Sequence, residues 1–180
     1  MARQSGSRDA RASVWARVAT IIGLVWVTVL AFAAPALADD GDGSSGDGAG
    51  ESHLVAGTPC TDSARACVDL KTQKAWLIDE DGKVARGPVP ISSGGPRKET
   101  PVGAFNVQWK DKNHKSQEFK LKNGQGAPMP FSVFFADGGV AFHGGSVARA
   151  SAGCVHLNDA DAVAFYNTLE LGDEVQVHKS

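Results

Sequence analysis

The stretch "AFHGGSVARASAGCVHL", residues 141–157, sets a histidine (His143) and a cysteine (Cys154) eleven positions apart among glycines and small side chains. A thiol attacks well only as the thiolate, so it needs a base. An imidazole near its ordinary pKa can take that proton, and a base so placed contributes about 10²–10⁴-fold in rate. Gly144 and Gly145 allow the backbone to curl, so that a carbonyl can hold the second imidazole nitrogen. Gly153 permits close approach of a substrate, with the amides of Gly153 and Cys154 free to face a developing oxyanion. Together these residues are equipped for acyl transfer through a thioester. A different chemistry is also open to them: His143, Cys154 and His156 could bind zinc, with residues 154 and 156 on one face of a strand, although only these three ligands are visible.

An unpaired thiol has to be judged by its compartment. The first 17 residues carry four arginines (Arg3, Arg8, Arg11, Arg17) against Asp9, and an apolar run follows from Val18 to Ala34. Ala36-Leu37-Ala38 then precedes two aspartates, the order of a secretory signal peptide over residues 1–38. If retained, the same run is just long enough to be an N-terminal membrane anchor. Either way the remainder is expected to be exported, in the cell wall or on the outer face of the cytoplasmic membrane. "DDGDGSSGDGAGES" opens a disordered Gly/Asp/Ser linker over 39–53, which has nothing apolar to bury.

That leaves one domain, residues 54–180. Four of the 18 basic and six of the 20 acidic residues lie before residue 53, so 14 of each remain and no basic footprint for nucleic acid exists. Of the three cysteines, Cys60 and Cys67 bracket a short loop and are expected to pair, closing it for roughly 2–3 kcal/mol. Cys154 is the one left over.

The elements that must position the chemistry read mostly as strands. "CVDL" and "KAWLI" are short apolar runs, and the Asp-Gly turn at 79–83 joins the second to "KVARGPVPIS" as a hairpin. "GAFNVQW" alternates, with Phe105, Val107 and Trp109 predicted on one face. "FSVFF" (131–135), a turn at "ADGG" and "VAFHG" (140–144) form a second hairpin. Between these, residues 110–130 are polar and lysine-rich and read as a long lid or binding loop. One helix is expected, capped by Asn158 or Asp159, with Ala162, Val163, Tyr166 and Leu169 on one stripe and Gly172 near its end. "DEVQVH" closes the chain as a strand. The fold class is mostly β, a single sandwich or barrel with one C-terminal-side helix. His114 reads as a solvated lid residue, Trp76 and Trp109 as core or sheet-face residues, and Thr100 and Gly103 as turn formers.

The blocks, in order, resemble the catalytic domain of the L,D-transpeptidases (the YkuD-like family) of bacterial cell-wall synthesis. They are "TPVGAF" after "SSGG", "APMPFSVFFADGGVAFHGG", "SAGCVHL" and "LGDEVQV", covering about residues 67–177. The resemblance implies that Cys154 is the nucleophile, that His143 accepts its proton, and that the Gly144 carbonyl orients His143. It implies attack on the amide after the L-centre of diaminopimelate in a stem tetrapeptide, loss of D-alanine, and transfer of the acyl group to an amine. No metal or organic cofactor is implied, and carbapenems are expected to acylate the same thiol. Peptidoglycan stem peptides are the expected partners of a monomer, and a membrane is met only through an uncleaved N-terminus. Two positions depart from the family's "SHGCVRL": Ala152 replaces a histidine and His156 an arginine. Ser151, His156 and Arg149 are the expected substrate-binding residues, with Arg149 able to stand in for the missing arginine as a carboxylate anchor. A catalytically silent peptidoglycan-binding module on the same scaffold and a structural zinc site are the alternatives.

Overall fold

A computed structural model describes residues 52–180. The expected signal peptide or anchor, and all but the end of the expected linker, lie outside the described residues. Strands β1 (Ala66–Asp69), β2 (Lys74–Ile78), β3 (Val84–Pro90), β4 (Gly103–Asn106), β5 (Trp109–Lys120), β6 (Gly126–Ala136), β7 (Val140–Gly144) and β8 (Val155–Leu157) precede helix α1 (Asp159–Thr168) and strand β9 (Glu174–His178). They form two sheets, of order β3-β2-β1-β9-β4 and β5-β6-β7-β8. Period-2 alternation drives the sandwich. Val68, Leu77, Val175 and Val177 from one sheet and Val133, Phe135, Phe142, Val155 and Leu157 from the other fill one core. Phe165 of α1 joins it, with its ring 5.1 Å from that of Phe142.

The first sheet is also covered on its outer side. Cys67, Trp76 and Ile78 face Val55, Cys60 and Ala64 there, and Cys60 is bonded to Cys67. Trp76 is thus buried, as expected. The expected hairpins at 79–83 and 137–139 are both present, as antiparallel β2–β3 and β6–β7 pairs.

Three expectations are corrected. Residues 110–130 are not a loop but the long β5–β6 hairpin, in register from Trp109↔Phe134 to Lys115↔Pro128. Backbone pairing rather than burial holds it together. Most of its side chains are exposed, so no apolar alternation marks it in the sequence. "GAFNVQW" is not one strand, because the chain changes sheets within it. The Val107 N–H donates to the Asp173 carbonyl beside β9 (2.9 Å), and the next amide, of Gln108, donates to the Phe134 carbonyl of β6 (2.8 Å). Val107 is therefore in the core, whereas Trp109 is 42% exposed on the opposite face of the second sheet. The helix seam, finally, is Ala162, Phe165 and Leu169, with Val163 and Tyr166 only partly buried. Asn158 caps it by accepting from the Asp161 N–H, and Leu169 rather than Gly172 ends it.

Among the described residues no helix is long and apolar enough to cross a membrane. The short closed loop gives a stability prediction. Replacing Cys60 and Cys67 together by alanine should lower the unfolding free energy by roughly 2–3 kcal/mol, through the freed unfolded chain. Denaturant melts of the two proteins check this, and reductant should move the parent toward the variant.

Candidate active site

Strands β7 and β8 run parallel in the register Phe142↔Val155, His143↔His156 and Gly144↔Leu157. Phe142, Val155 and Leu157 point into the core. Alternation therefore turns Ala141, His143, Cys154 and His156 to the outer face of the second sheet. There His143, Cys154 and His156 line a cavity of about 810 Å³ whose other wall is the β5–β6 hairpin. Met129, Phe134 and Ala141 make an apolar floor, and Cys154 packs against it.

His143 is 6% exposed. Its Nδ1 lies 2.9 Å from the Gly144 carbonyl oxygen. A carbonyl only accepts, so Nδ1 carries the proton and Nε2 is left as the acceptor. The His156 ring meets it edge-on, centroids 4.7 Å apart, and is itself fixed by Nδ1 donating to the Ser146 carbonyl at 3.0 Å. Burial lowers the His143 pKa to about 4, with His156 and His114 adding to the effect and the Gly144 carbonyl opposing it. Cys154 is a free, half-buried thiol. Burial also raises its pKa, helped by the Glu118 carboxylate and opposed by the Ala141 backbone. Both groups are neutral at rest, and the thiol hydrogen-bonds the Gly139 carbonyl (3.6 Å) rather than the imidazole.

The turn before the thiol is held from several sides. Gly153 has φ +118°, a conformation glycine adopts without a Cβ penalty. Its N–H donates to the Ser151 hydroxyl at 3.1 Å, and that hydroxyl donates to the Cys154 carbonyl. The expectation that the Gly153 amide is free for an oxyanion is thus corrected: it is occupied. Thr100 was expected only to set a turn. It is buried instead, accepting from the Gly94 N–H (2.9 Å) and donating to the Gly153 carbonyl (2.8 Å). Ser92 and Ser93 complete the strap. The Ser92 N–H and carbonyl exchange hydrogen bonds with His156, and the Ser93 carbonyl accepts from the Ser151 N–H. A Cβ on Gly94 would lie 2.0 Å from the Lys98 carbonyl, so the strap can pass only with glycine there.

Ser151, Arg149 and His156 all line the cavity. Ser151 spends its hydroxyl on the turn, and His156 packs against His143 instead of presenting a carboxylate anchor. Arg149 is exposed at the rim, and among the described residues no carboxylate pairs with its guanidinium. The zinc reading finds no support: among the described residues no group of three His, Cys, Asp or Glu side chains is placed to hold a metal. Sequence reasoning missed the hairpin wall, which supplies Trp109, His114, Glu118 and Met129. His114, read as solvated, is partly buried in that wall with Nδ1 3.1 Å from Asp111. Lys98 and Glu118, 2.6 Å apart, tie the wall to the strap, but both are 57% exposed and such pairs contribute little.

The buried imidazole leaves a signature in stability. A histidine with an ordinary value of 6.5 titrates above the folded His143, whose value is about 4, so between those limits the unfolded state binds more protons. Stability from this group is therefore lost as pH falls through that window. Denaturant melts at successive pH should show His143→Gln lacking a component that approaches about 1.4 kcal/mol per pH unit in the parent.

Residues 63–177 match the model of the L,D-transpeptidase catalytic domain, YkuD. Among solved structures, the chain is similar to the L,D-transpeptidase from Stackebrandtia nassauensis, with 29% identity, 64% of this chain and 55% of that one covered, and a TM-score of 0.56. It is also similar to a cysteine-to-serine mutant of the Enterococcus faecium L,D-transpeptidase, at 26% identity, 64% and 49% coverage and a TM-score of 0.53. L,D-transpeptidase 1 of Mycobacterium tuberculosis shares the fold at 22% identity, with 62% and 60% coverage and a TM-score of 0.53. The chain thus spans about half the length of the first two structures. No curated protein sequence matches it. Because the family model covers most of the described residues, the chain belongs to the L,D-transpeptidase catalytic-domain family.

Proposed function

We propose that this chain is an exported peptidoglycan L,D-transpeptidase acting through Cys154. The observation that carries the reading is the pairing of one free thiol with one carbonyl-anchored histidine on the same wall of a cavity. The other two cysteines are bonded to each other on the far side of the first sheet. Cys154 and His143 are diagonal neighbours across β7–β8, separated by roughly 7–8 Å of backbone, a gap their side chains can close. The reading requires the thiol to rotate from the Gly139 carbonyl to reach Nε2.

The S–H proton passes to His143 Nε2 as sulfur attacks the carbonyl carbon of the third stem residue, diaminopimelate. The Cys154 N–H faces the oxyanion. Collapse breaks the C–N bond, D-alanine leaves with the proton returned by His143, and a thioester remains. An acceptor amine then attacks that thioester, losing its proton through His143, and the thiol is restored. The Gly144 carbonyl stabilises the transient imidazolium through the Nδ1–H. Arg149 is the anchor for a substrate carboxylate, and Ser151, Thr100 and His156 are positioning residues. The neutral resting pair favours proton transfer in step with attack over a standing thiolate. The domain follows an exported N-terminus, residues 1–38, and a linker, 39–53.

A second reading, a wall-binding module without turnover, is favoured only by the thiol resting on Gly139. Acylation by a carbapenem separates the two, followed by mass spectrometry. A single adduct on the Cys154 peptide is expected in the parent and none in Cys154→Ala, with His143→Gln slower by about 10²–10⁴-fold. Because the thiol sits above its ordinary value and His143 is neutral above about 4, the reactive neutral pair is fully populated from pH 5 to 9, so the rate should stay nearly level across that range, with no step near 6.5. A well-folded parent that never acylates would establish the silent module.

A further inference from the structure

One cross-strand row crosses the outer face of the second sheet from its edge to the thiol. Trp109 on β5 pairs with Phe134 on β6, Phe134 pairs with Ala141 on β7, and the β7–β8 register sets Ala141 beside Cys154. Three strand spacings of roughly 4.8 Å separate the ends of this row, about 14 Å in all. Between them lie the buried apolar residues Phe134 and Ala141, with Phe134 lining the cavity.

Trp109 does not behave as a residue placed there for the core. It keeps 42% of its surface exposed while lining the cavity that contains Cys154. It is also held still: the Phe134 ring stacks on it at 3.6 Å and 6°, and His114 meets it edge-on at 5.4 Å. His114 is in turn fixed through Nδ1 by Asp111, which leaves Nε2 for a ligand, and Ser116 and Gln117 line the same wall. A rigid indole rimmed by hydroxyl, amide and imidazole suits a ring that is apolar on its face and polar at its edge. A pyranose is such a ring, its C–H face meeting the electron-rich face of the indole.

We propose that Trp109 is a saccharide platform, stacking on a sugar ring of the glycan to which the donor stem is attached. The inference rests on the transpeptidase reading above. It fixes how the donor lies: along the row, reacting carbonyl at Cys154 and glycan at the sheet edge. Reach supports this. Three extended stem residues span about 10–11 Å at 3.3–3.6 Å each, and the link to the sugar supplies the remainder of the 14 Å or so. A free stem peptide leaves the Trp109 end empty, so the site distinguishes glycan-linked donors from loose peptides. If Trp109 were only a cross-strand partner for Phe134, sugars would not sense it.

Two measurements on the full chain test the proposal. In Cys154→Ala, which cannot turn over, calorimetry should give a disaccharide–tetrapeptide about tenfold tighter than the free tetrapeptide. Adding Trp109→Ala should bring the two affinities within about twofold of each other. Independently, in the ¹⁵N-labelled parent the Trp109 indole N–H resonance should shift when peptide-free N-acetylglucosamine–N-acetylmuramic acid disaccharide is added. This second reading decides the matter if the alanine variant fails to fold. A preserved affinity ratio in the Trp109 variant, or a stationary indole resonance, overturns the platform. The outcome is separable from the catalytic reading: a chain acylated by carbapenem with an indifferent Trp109 keeps the enzyme and loses the platform. A chain that is never acylated yet shifts at Trp109 does the reverse.

Discussion

Parallel pairing of β7 with β8 is the constraint from which the site follows. In the register Phe142↔Val155 the aromatic and aliphatic side chains go to the core and their immediate neighbours to the other face. The same burial that stabilises the sandwich therefore aims His143, Cys154 and His156 outward. A one-residue slip of β8 would bury His156 and expose Val155 and Leu157, so the register is defended by the hydrophobic core. The chemistry is carried on rigid strands, with only the turn before Cys154 left to be stabilised separately.

That turn is stabilised by hydrogen bonds rather than by packing. The Ser92–Gly95 strap, Thr100 and Ser151 satisfy the backbone on both sides of Gly153, and Gln73 anchors the strap by accepting from the Ser93 N–H at 2.9 Å. A buried backbone group without a partner costs about 1–3 kcal/mol, so each of these side chains protects the geometry of the thiol. Electrostatics follow from the same burial. An imidazole lowered to about 4 and a thiol raised by burial favour a neutral pair that withholds its thiolate until a carbonyl arrives.

Much of this was legible in the sequence, and the exceptions have physical causes. "VAFHG" and "CVHL" alternate cleanly because each strand has one face in the core. Positions 154 and 156 could therefore be placed on one face from the pattern, while His143 joins them only through the parallel β7–β8 register. The Cys60–Cys67 bond followed from spacing and compartment. The hairpin over 110–130 was hidden because most of its side chains are exposed, which removes the period-2 signal. Trp109 was grouped with Phe105 and Val107 because nothing in "FNVQW" reports that Val107 and Gln108 donate to different sheets. The role of Thr100 was invisible for a related reason: its partners, Gly94 and Gly153, are brought together only by the strap.

The proposed chemistry requires Cys154 to be the single acyl acceptor of the chain. Its most direct test is intact-mass and peptide-mapping spectrometry of the full protein mixed with a stem tetrapeptide and no amine acceptor. The predicted result is an added mass equal to the tripeptide acyl group, confined to the peptide that contains Cys154, with D-alanine released in equal amount. An unmodified protein with no D-alanine released, or an acyl group found on any other residue, would contradict it.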